Sequence, residues 1–340
     1  MRLESMHRTF ITGQPCYRMI RLLLVVALAV GTVDCFSVNT QQSSSYASSV
    51  EGSPSPPQVE PQAEELDPFG PPSPSAHLQV GDDPLVFPRA DDGSSYEVHR
   101  LSQKPHIFLL KNFVSPQDCQ AIIQGASNNM VAAETTEGDG AVFRRNCRVA
   151  WCENFDVPLQ LGQVAGNLML PDEVKMSFGA GCEKLQVLHY FDAGGEFVLH
   201  HDGVSRVMTV IYYLNGVAGT WFPLAHKDIC AHMMPNHRDQ ALELAKDCVP
   251  GRDGLLVAGR QSPLLKDARD ENTVVIEAGD AVAFYNYHQL EGEEGGEAVN
   301  WQCLHAGLPT TAEEGDKWIA NHWMHAPAVF RNEKTHFPAE

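Results

Sequence analysis

Three His-x-Asp pairs occur in this chain: His200 with Asp202, His226 with Asp228, and His237 with Asp239. Two histidines and one carboxylate form a facial ligand set for Fe(II), with positions left open for an organic co-substrate and oxygen. With 15 histidines in 340 residues, about one such pair is expected by chance, so the pattern alone identifies nothing. Context separates the three. His237 and Asp239 sit at the start of a polar helical stretch, and His226 and Asp228 follow a strand end in a charged segment. His200 and Asp202 end the apolar run Phe197 to Leu199, behind Gly194 and Gly195. In a strand, residues two apart face one side, so this pair can point into one cavity. A third ligand must come from elsewhere. His305, in the run Trp301 to Gly307, is the best candidate; His322 and His325, three apart, would face opposite sides of a strand. A core histidine satisfied by hydrogen bonds remains the alternative for His305.

The elements around these residues read as α+β. His106 to Leu110 is a short buried-strand pattern. Ser115, Pro116 and Asp118 give an N-cap, a proline at the first helical position and an early acid, and Ile122, Ile123 and Ala126 give that helix an apolar face. A second helix starts at Asp156, with Leu161, Val164, Ala165 and Leu168 at helical spacing. Short runs rich in Val, Tyr, Phe and Leu follow, separated by Gly and Asp: KLQVLHYF, GEFVLHHD, VMTVIYYLN, TWFPLA, TVVIEAGDAVAFYN, WQCLHAG and KWIANHWMH. That spacing predicts a β-sandwich or barrel with helices packed against it. Residues 224–270, with a short helix over Arg238 to Cys248, read as an insertion between two core strands, and Glu291 to Glu297 as an acidic surface loop.

The order of motifs carries a resemblance. LQVLHYFDAGGEFVLHHDG, RVMTVIYYLN, GTWFP, EAGDAVAFYN, and LHAG followed by GDKWIANHW resemble the prolyl 4-hydroxylase-like Fe(II)/2-oxoglutarate dioxygenases over roughly residues 105–326. The resemblance implies a double-stranded β-helix (a jelly roll, cupin-like) with flanking N-terminal helices. It implies that His200, Asp202 and His305 hold Fe(II). It also implies that Lys317 pairs with the distal carboxylate of 2-oxoglutarate and that Tyr190 and Thr220 hydrogen-bond it. A solvated surface lysine is the other reading of Lys317, between Asp316 and Trp318. The implied cofactors are Fe(II), 2-oxoglutarate as co-substrate, O2 and ascorbate. The implied reaction hydroxylates peptidyl proline and couples this to decarboxylation of 2-oxoglutarate to succinate and CO2. Two alternatives stand beside it. One is a 2-oxoglutarate hydroxylase of another residue or a small molecule, and the other is an inactive β-barrel binding module.

The chain's formal charge of −19 argues against nucleic acid as a partner, because phosphate neutralisation needs a basic face. Residues 1–36 place Arg2, Arg8, Arg18 and Arg21 before the apolar run Leu22 to Val33. Too short to span a bilayer readily, this predicts a signal peptide or a retained membrane anchor. The endoplasmic reticulum or secretory pathway is then expected, or a plastid reached by that route. Residues 37–104, rich in Ser and with prolines crowded between Pro54 and Pro88, read as a disordered linker. The catalytic domain is expected over residues 105–340. Cys230 and Cys248 bracket the insertion and are the expected disulfide.

Overall fold

The structure is a computed structural model. It describes residues 70–89, 93–133, 144–152, 156–170, 182–202, 206–226, 237–290 and 296–325. The expected signal or anchor segment, the linker up to residue 69, Asp228, Cys230 with its expected bridge, and residues 291–295 of the acidic loop lie outside the described residues.

In chain order the strands are β1 (Leu85–Pro88), β2 (Ser95–Ser102), β3 (Ile107–Lys111), β4 (Val131–Ala132), β5 (Arg144–Arg145), β6 (Cys147–Cys152), β7 (Leu185–Tyr190), β8 (Glu196–His200), β9 (Arg206–Tyr213), β10 (Gly219–Phe222), β11 (Leu255–Gly259), β12 (Thr273–Ile276), β13 (Ala281–Tyr285), β14 (Tyr287–Leu290), β15 (Gly296–Val299), β16 (His305–Gly307) and β17 (Lys317–His325). The helices are α1 (Pro116–Ser127), α2 (Asp156–Met169) and α3 (Arg238–Ala245). The larger sheet runs β1-β2-β3-β13-β9-β17-β7-β6-β4, and the smaller β12-β11-β10-β16-β8-β5.

Apolar side chains on both faces of the larger sheet decide the architecture. One face carries Phe108, Leu110, Val187, Val210, Tyr212, Ala320 and Met324, packed against Ile122 and Ala126 of α1 and Leu161 and Ala165 of α2. The other carries Leu109, Leu188, Ile211, Val282, Phe284 and Ile319, packed against Phe222, Leu255 and Val257 of the smaller sheet. Strands buried on both faces read as continuous apolar runs, without alternation; β13 is buried at every residue. Two facing, mostly antiparallel sheets with helices on one outer side are the expected double-stranded β-helix. The start of α1 follows its sequence signal: Ser115 Oγ accepts from the Asp118 backbone N–H at 3.0 Å, and Pro116 holds the first helical position.

Three expectations need correction. The sheet begins before residue 105, because β1 and β2 lie inside the stretch expected to be linker. Tyr96, Val98, Arg100 and Ser102 alternate as the buried side of β2. That strand pairs with β3, Val98 opposite Leu110. Composition hid the strand, since the residues between the buried ones are polar and the preceding segment is proline-rich. Second, β11 lies inside the expected insertion yet pairs with β10 and β12; only the stretch between Phe222 and Leu255 is inserted, and it carries α3. Third, Trp301–Cys303 is a 3-10 turn, so His305 opens its strand where an end was expected.

A chain beginning at residue 105 should be less stable than one beginning at residue 70. Losing the burial of Tyr96 and Val98 alone removes about 3–6 kcal/mol, at about 1.5–3 kcal/mol per large apolar side chain. Urea unfolding of the two chains measures this, and equal midpoints would show that β1 and β2 add nothing.

Candidate metal centre

The smaller sheet brings the histidines together. β8 and β16 pair antiparallel with His200 directly opposite His305, and their rings lie 4.2 Å apart, centre to centre. Asp202 stands two residues beyond His200, past the end of β8. Its carboxylate lies 3.7 Å from His200 Nε2 and 3.8 Å from His305 Nε2, beyond hydrogen-bond range.

The other nitrogen of each ring explains this spacing. His200 Nδ1 donates to the carbonyl of Val198 at 2.8 Å, and His305 Nδ1 to the carbonyl of Cys303 at 2.9 Å. A carbonyl only accepts, so each Nδ1 carries a proton, and in the neutral ring that leaves the Nε2 lone pair available to a metal. One ligand atom from each of His200, Asp202 and His305 lies within 4.8 Å of the other two. Two lone pairs and a carboxylate converging in a buried space repel unless a cation lies between them. The donor set therefore fits a divalent metal, and of the kind that accepts two imidazoles and one carboxylate.

Asp202 is held from behind. Thr209 Oγ1 donates to its Oδ2 at 2.7 Å, Asn286 Nδ2 donates to Thr209 Oγ1 at 3.0 Å, and Arg206 Nη1 donates to the Asp202 carbonyl at 2.8 Å. Burial by itself would raise the carboxyl pKa. His305, His200, the Thr209 hydroxyl and Arg206 outweigh burial and hold it below the ordinary carboxylate range.

Lys317 opens β17 opposite Tyr190, which in turn stands opposite Cys147 of β6. It is 2% exposed, so the surface-lysine reading does not hold. Its Nζ donates to the Leu308 carbonyl at 2.9 Å and lies 4.3 Å from the centre of the Tyr190 ring. Burial pushes its pKa down to about 8, with Cys147 and Glu314 opposing. A side chain built at Gly307 would place its Cβ 3.8 Å from this Nζ and 3.5 Å from Phe197, so the glycine keeps space beside the ammonium group. Thr220 Oγ1 accepts from the Tyr213 hydroxyl at 3.1 Å.

Tyr190, His200, Asp202, Thr220, His305 and Gly307 all line one pocket, and Lys317 lies behind its Tyr190 and Gly307 wall. The remaining sequence candidates lie elsewhere. His226 is exposed, and His237 caps α3 by accepting from the Gln240 backbone N–H. His322 faces the helices, where it meets the Tyr212 hydroxyl at 3.0 Å, and burial pushes its pKa down to about 3. His325 Nε2 lies 2.7 Å from Glu183. The sequence reading missed Thr209, Tyr213 and Asn321, of which Asn321 also lines the pocket. Period two along RVMTVIYY and KWIANHW was the available signal, since Thr209, Ile211 and Tyr213, or Lys317, Ile319 and Asn321, must share a face.

The family model of the 2OG-Fe(II) oxygenase superfamily matches residues 185–325. Probable prolyl 4-hydroxylase 6 of Arabidopsis thaliana is 26% identical over 246 residues, covering 67% of this chain and 72% of its own. Prolyl 4-hydroxylase 2 of the same plant is 24% identical over 250 residues, covering 67% and 70%. Among solved structures, the 2OG complex of the viral collagen prolyl hydroxylase from Paramecium Bursaria Chlorella virus-1 is similar at 17% identity. That match covers 65% of this chain and 96% of the other, with a TM-score of 0.38.

Replacing His200, Asp202 or His305 by Ala should weaken Mn(II) binding on the order of a hundredfold or more, since loss of even a supporting group costs 10–100-fold. His226→Ala and His237→Ala should leave it unchanged. Calorimetric titration decides this; loss of binding in His237→Ala with retention in His200→Ala would move the site.

Proposed function

We propose that this chain is a prolyl 4-hydroxylase-like 2OG-Fe(II) oxygenase and that it hydroxylates peptidyl proline. The observation that carries the reading is a buried lysine packed against Tyr190 and Gly307, two lining residues of the pocket where three metal-ligating atoms converge. On this reading His200, Asp202 and His305 would hold Fe(II), and Lys317 would receive the distal carboxylate of 2-oxoglutarate. When bound, iron and 2-oxoglutarate together supply oxygen activation coupled to decarboxylation, which yields succinate and CO2 and hydroxylates an unactivated carbon.

The protein's own part is to bind, orient and exclude water. With a pKa of about 8, Lys317 is mostly charged at neutral pH, as a carboxylate partner requires. Tyr190 and Thr220 line the same space and are suited to hydrogen-bonding that carboxylate. Leu188 and Ile319, also in the lining, give the co-substrate's methylenes an apolar wall. Thr209 keeps one carboxylate oxygen of Asp202 occupied, which orients the other toward the metal.

An exposed tryptophan packed against a buried one supports a proline-rich peptide as the substrate. Trp151, 46% exposed, stands 6.0 Å from Trp323, centre to centre. The Arg206 guanidinium lies 3.9 Å from the centre of the Trp323 ring. Polyproline segments arrive already extended and dock on aromatic-lined grooves at low entropic cost.

Succinate release and the mass gain of one oxygen should appear together when the Fe(II)-loaded chain meets 2-oxoglutarate and a panel of proline-rich peptides. Succinate without any modified proline across the panel would shift the reading to another substrate. The affinity for 2-oxoglutarate should depend on pH. Lys317 loses its proton as pH rises through about 8, so binding to the Mn(II)-loaded chain should be nearly constant below pH 7 and weaken above 8, up to about tenfold per pH unit. Lys317→Ala should weaken it at pH 7 by about 10–150-fold, the equivalent of about 1.5–3 kcal/mol for a charged hydrogen bond, with Mn(II) binding intact. A pH-independent dissociation constant would remove Lys317 from the co-substrate site.

A further inference from the structure

The pocket wall is layered by strand register. Residues paired across neighbouring strands point to one face and form a row, and successive rows on that face lie two residues apart, about 6.8 Å. The first row is Cys147, Tyr190 and Lys317. The second is Val149, Leu188, Ile319 and Tyr213. The third is Trp151, Gln186, Asn321 and Ile211. Charge and apolar surface in the first two rows suit the tail of a dicarboxylate. The third row lies about 13 Å along β17 from Lys317 by the same spacing, and it includes the exposed Trp151.

Two amides in that row are unsatisfied. Asn321 is 8% exposed and Gln186 5%, and neither Asn321 Oδ1 nor Gln186 Oε1 has a hydrogen-bond partner. A buried polar oxygen without a partner costs about 1–3 kcal/mol, and native folds seldom carry one without a reason. Asn321 lines the pocket that holds the metal-ligating atoms, so its missing partner can come from a ligand. Whichever way the amide is turned, its carbonyl oxygen is an acceptor and needs a donor. 2-Oxoglutarate at neutral pH has no N–H or O–H to give. A peptide backbone has an N–H at every residue but proline.

We propose that Asn321, with Gln186 beside it in the row, is a specificity-determining residue that accepts a hydrogen bond from the backbone N–H of the residue following the target proline. This inference rests on the peptide reading above. It assigns Asn321 to substrate selection, a role separate from co-substrate binding, and it makes the third row a reader of main chain, tolerant of side-chain identity.

The test is a two-by-two comparison on the Fe(II)-loaded full chain. Wild type and Asn321→Leu are given one unmodified proline peptide that wild type hydroxylates and the same peptide with an N-methyl group on the residue after the target proline. N-methylation should raise the apparent KM for peptide about tenfold in wild type and less than twofold in Asn321→Leu. Asn321→Thr, which restores a hydroxyl acceptor on a β-branched strand residue, should recover the discrimination. An equal methylation effect in wild type and Asn321→Leu would overturn the inference, as would a KM shift confined to 2-oxoglutarate. No discrimination in wild type would mean that water alone satisfies Asn321. Failure of wild type to bind or turn over any unmodified proline peptide would remove the peptide reading itself, and this inference with it.

Discussion

Lys317 carries an ammonium group into the space between two sheets, where water does not reach it. Moving an ion of that size out of water costs several kcal/mol even after relaxation. The Leu308 carbonyl accepts from its Nζ, and the face of Tyr190 lies beside it. A desolvated cation over an aromatic ring gains about 2 kcal/mol, which leaves burial dominant and the pKa depressed to about 8. The lumen is thus prepared for an anion before one arrives. That constraint orders the neighbourhood: an aromatic face opposite, a glycine at position 307 that leaves space, and apolar residues in the next row that keep the local dielectric low.

The same register that buries Lys317 sets the sequence of chemistry along the wall. Antiparallel pairing puts Tyr190 opposite Lys317, Leu188 opposite Ile319 and Gln186 opposite Asn321. A one-residue slip of β17 would send all three to the helix-covered face. The helices oppose such a slip because Ala320, Met324 and Tyr212 are packed beneath α1 and α2. Gly162 of α2 leaves only 3.3 Å from an added Cβ to Cys182 Sγ and to the His322 ring. The core on one side of the sheet therefore holds in place the site residues on the other.

How much of this the sequence disclosed depended on how local each cause was. The helix start at Ser115, the apolar runs and the metal triad were legible, because caps, period two and motif order are written along the chain. Lys317 was legible as a candidate by resemblance only; its burial depends on pairing with β7, more than a hundred residues earlier, and no local pattern reports that. Thr209 looked like one more β-branched residue in an apolar run, yet the fold brings its hydroxyl to Asp202. The β2 strand was hidden for a related reason. Its buried side alternates with polar residues in a segment whose prolines and charges suggested no core, and only β3 beside it gives those buried residues a surface to cover.

Charge accounting ties the two ends of the lumen together. Among the residues assigned to the site, Asp202 contributes one negative charge and Lys317 one positive, so the protein's own charges there cancel. A divalent metal alone would leave it doubly positive, and a dicarboxylate alone doubly negative, in a space with little water to screen either. Both together restore neutrality. Each partner therefore binds more strongly when the other is present, by the reciprocity that linkage demands of equilibrium binding. The two histidines add ligand strength without disturbing that balance, because a ring that ligates through Nε2 is neutral, its one proton being the Nδ1–H that the carbonyls of Val198 and Cys303 accept. A second carboxylate in place of either histidine would leave the loaded pocket with an uncompensated negative charge. On the reading proposed above, the choice of two imidazoles and one acid would thus match a co-substrate that brings two negative charges and the lysine that would receive it.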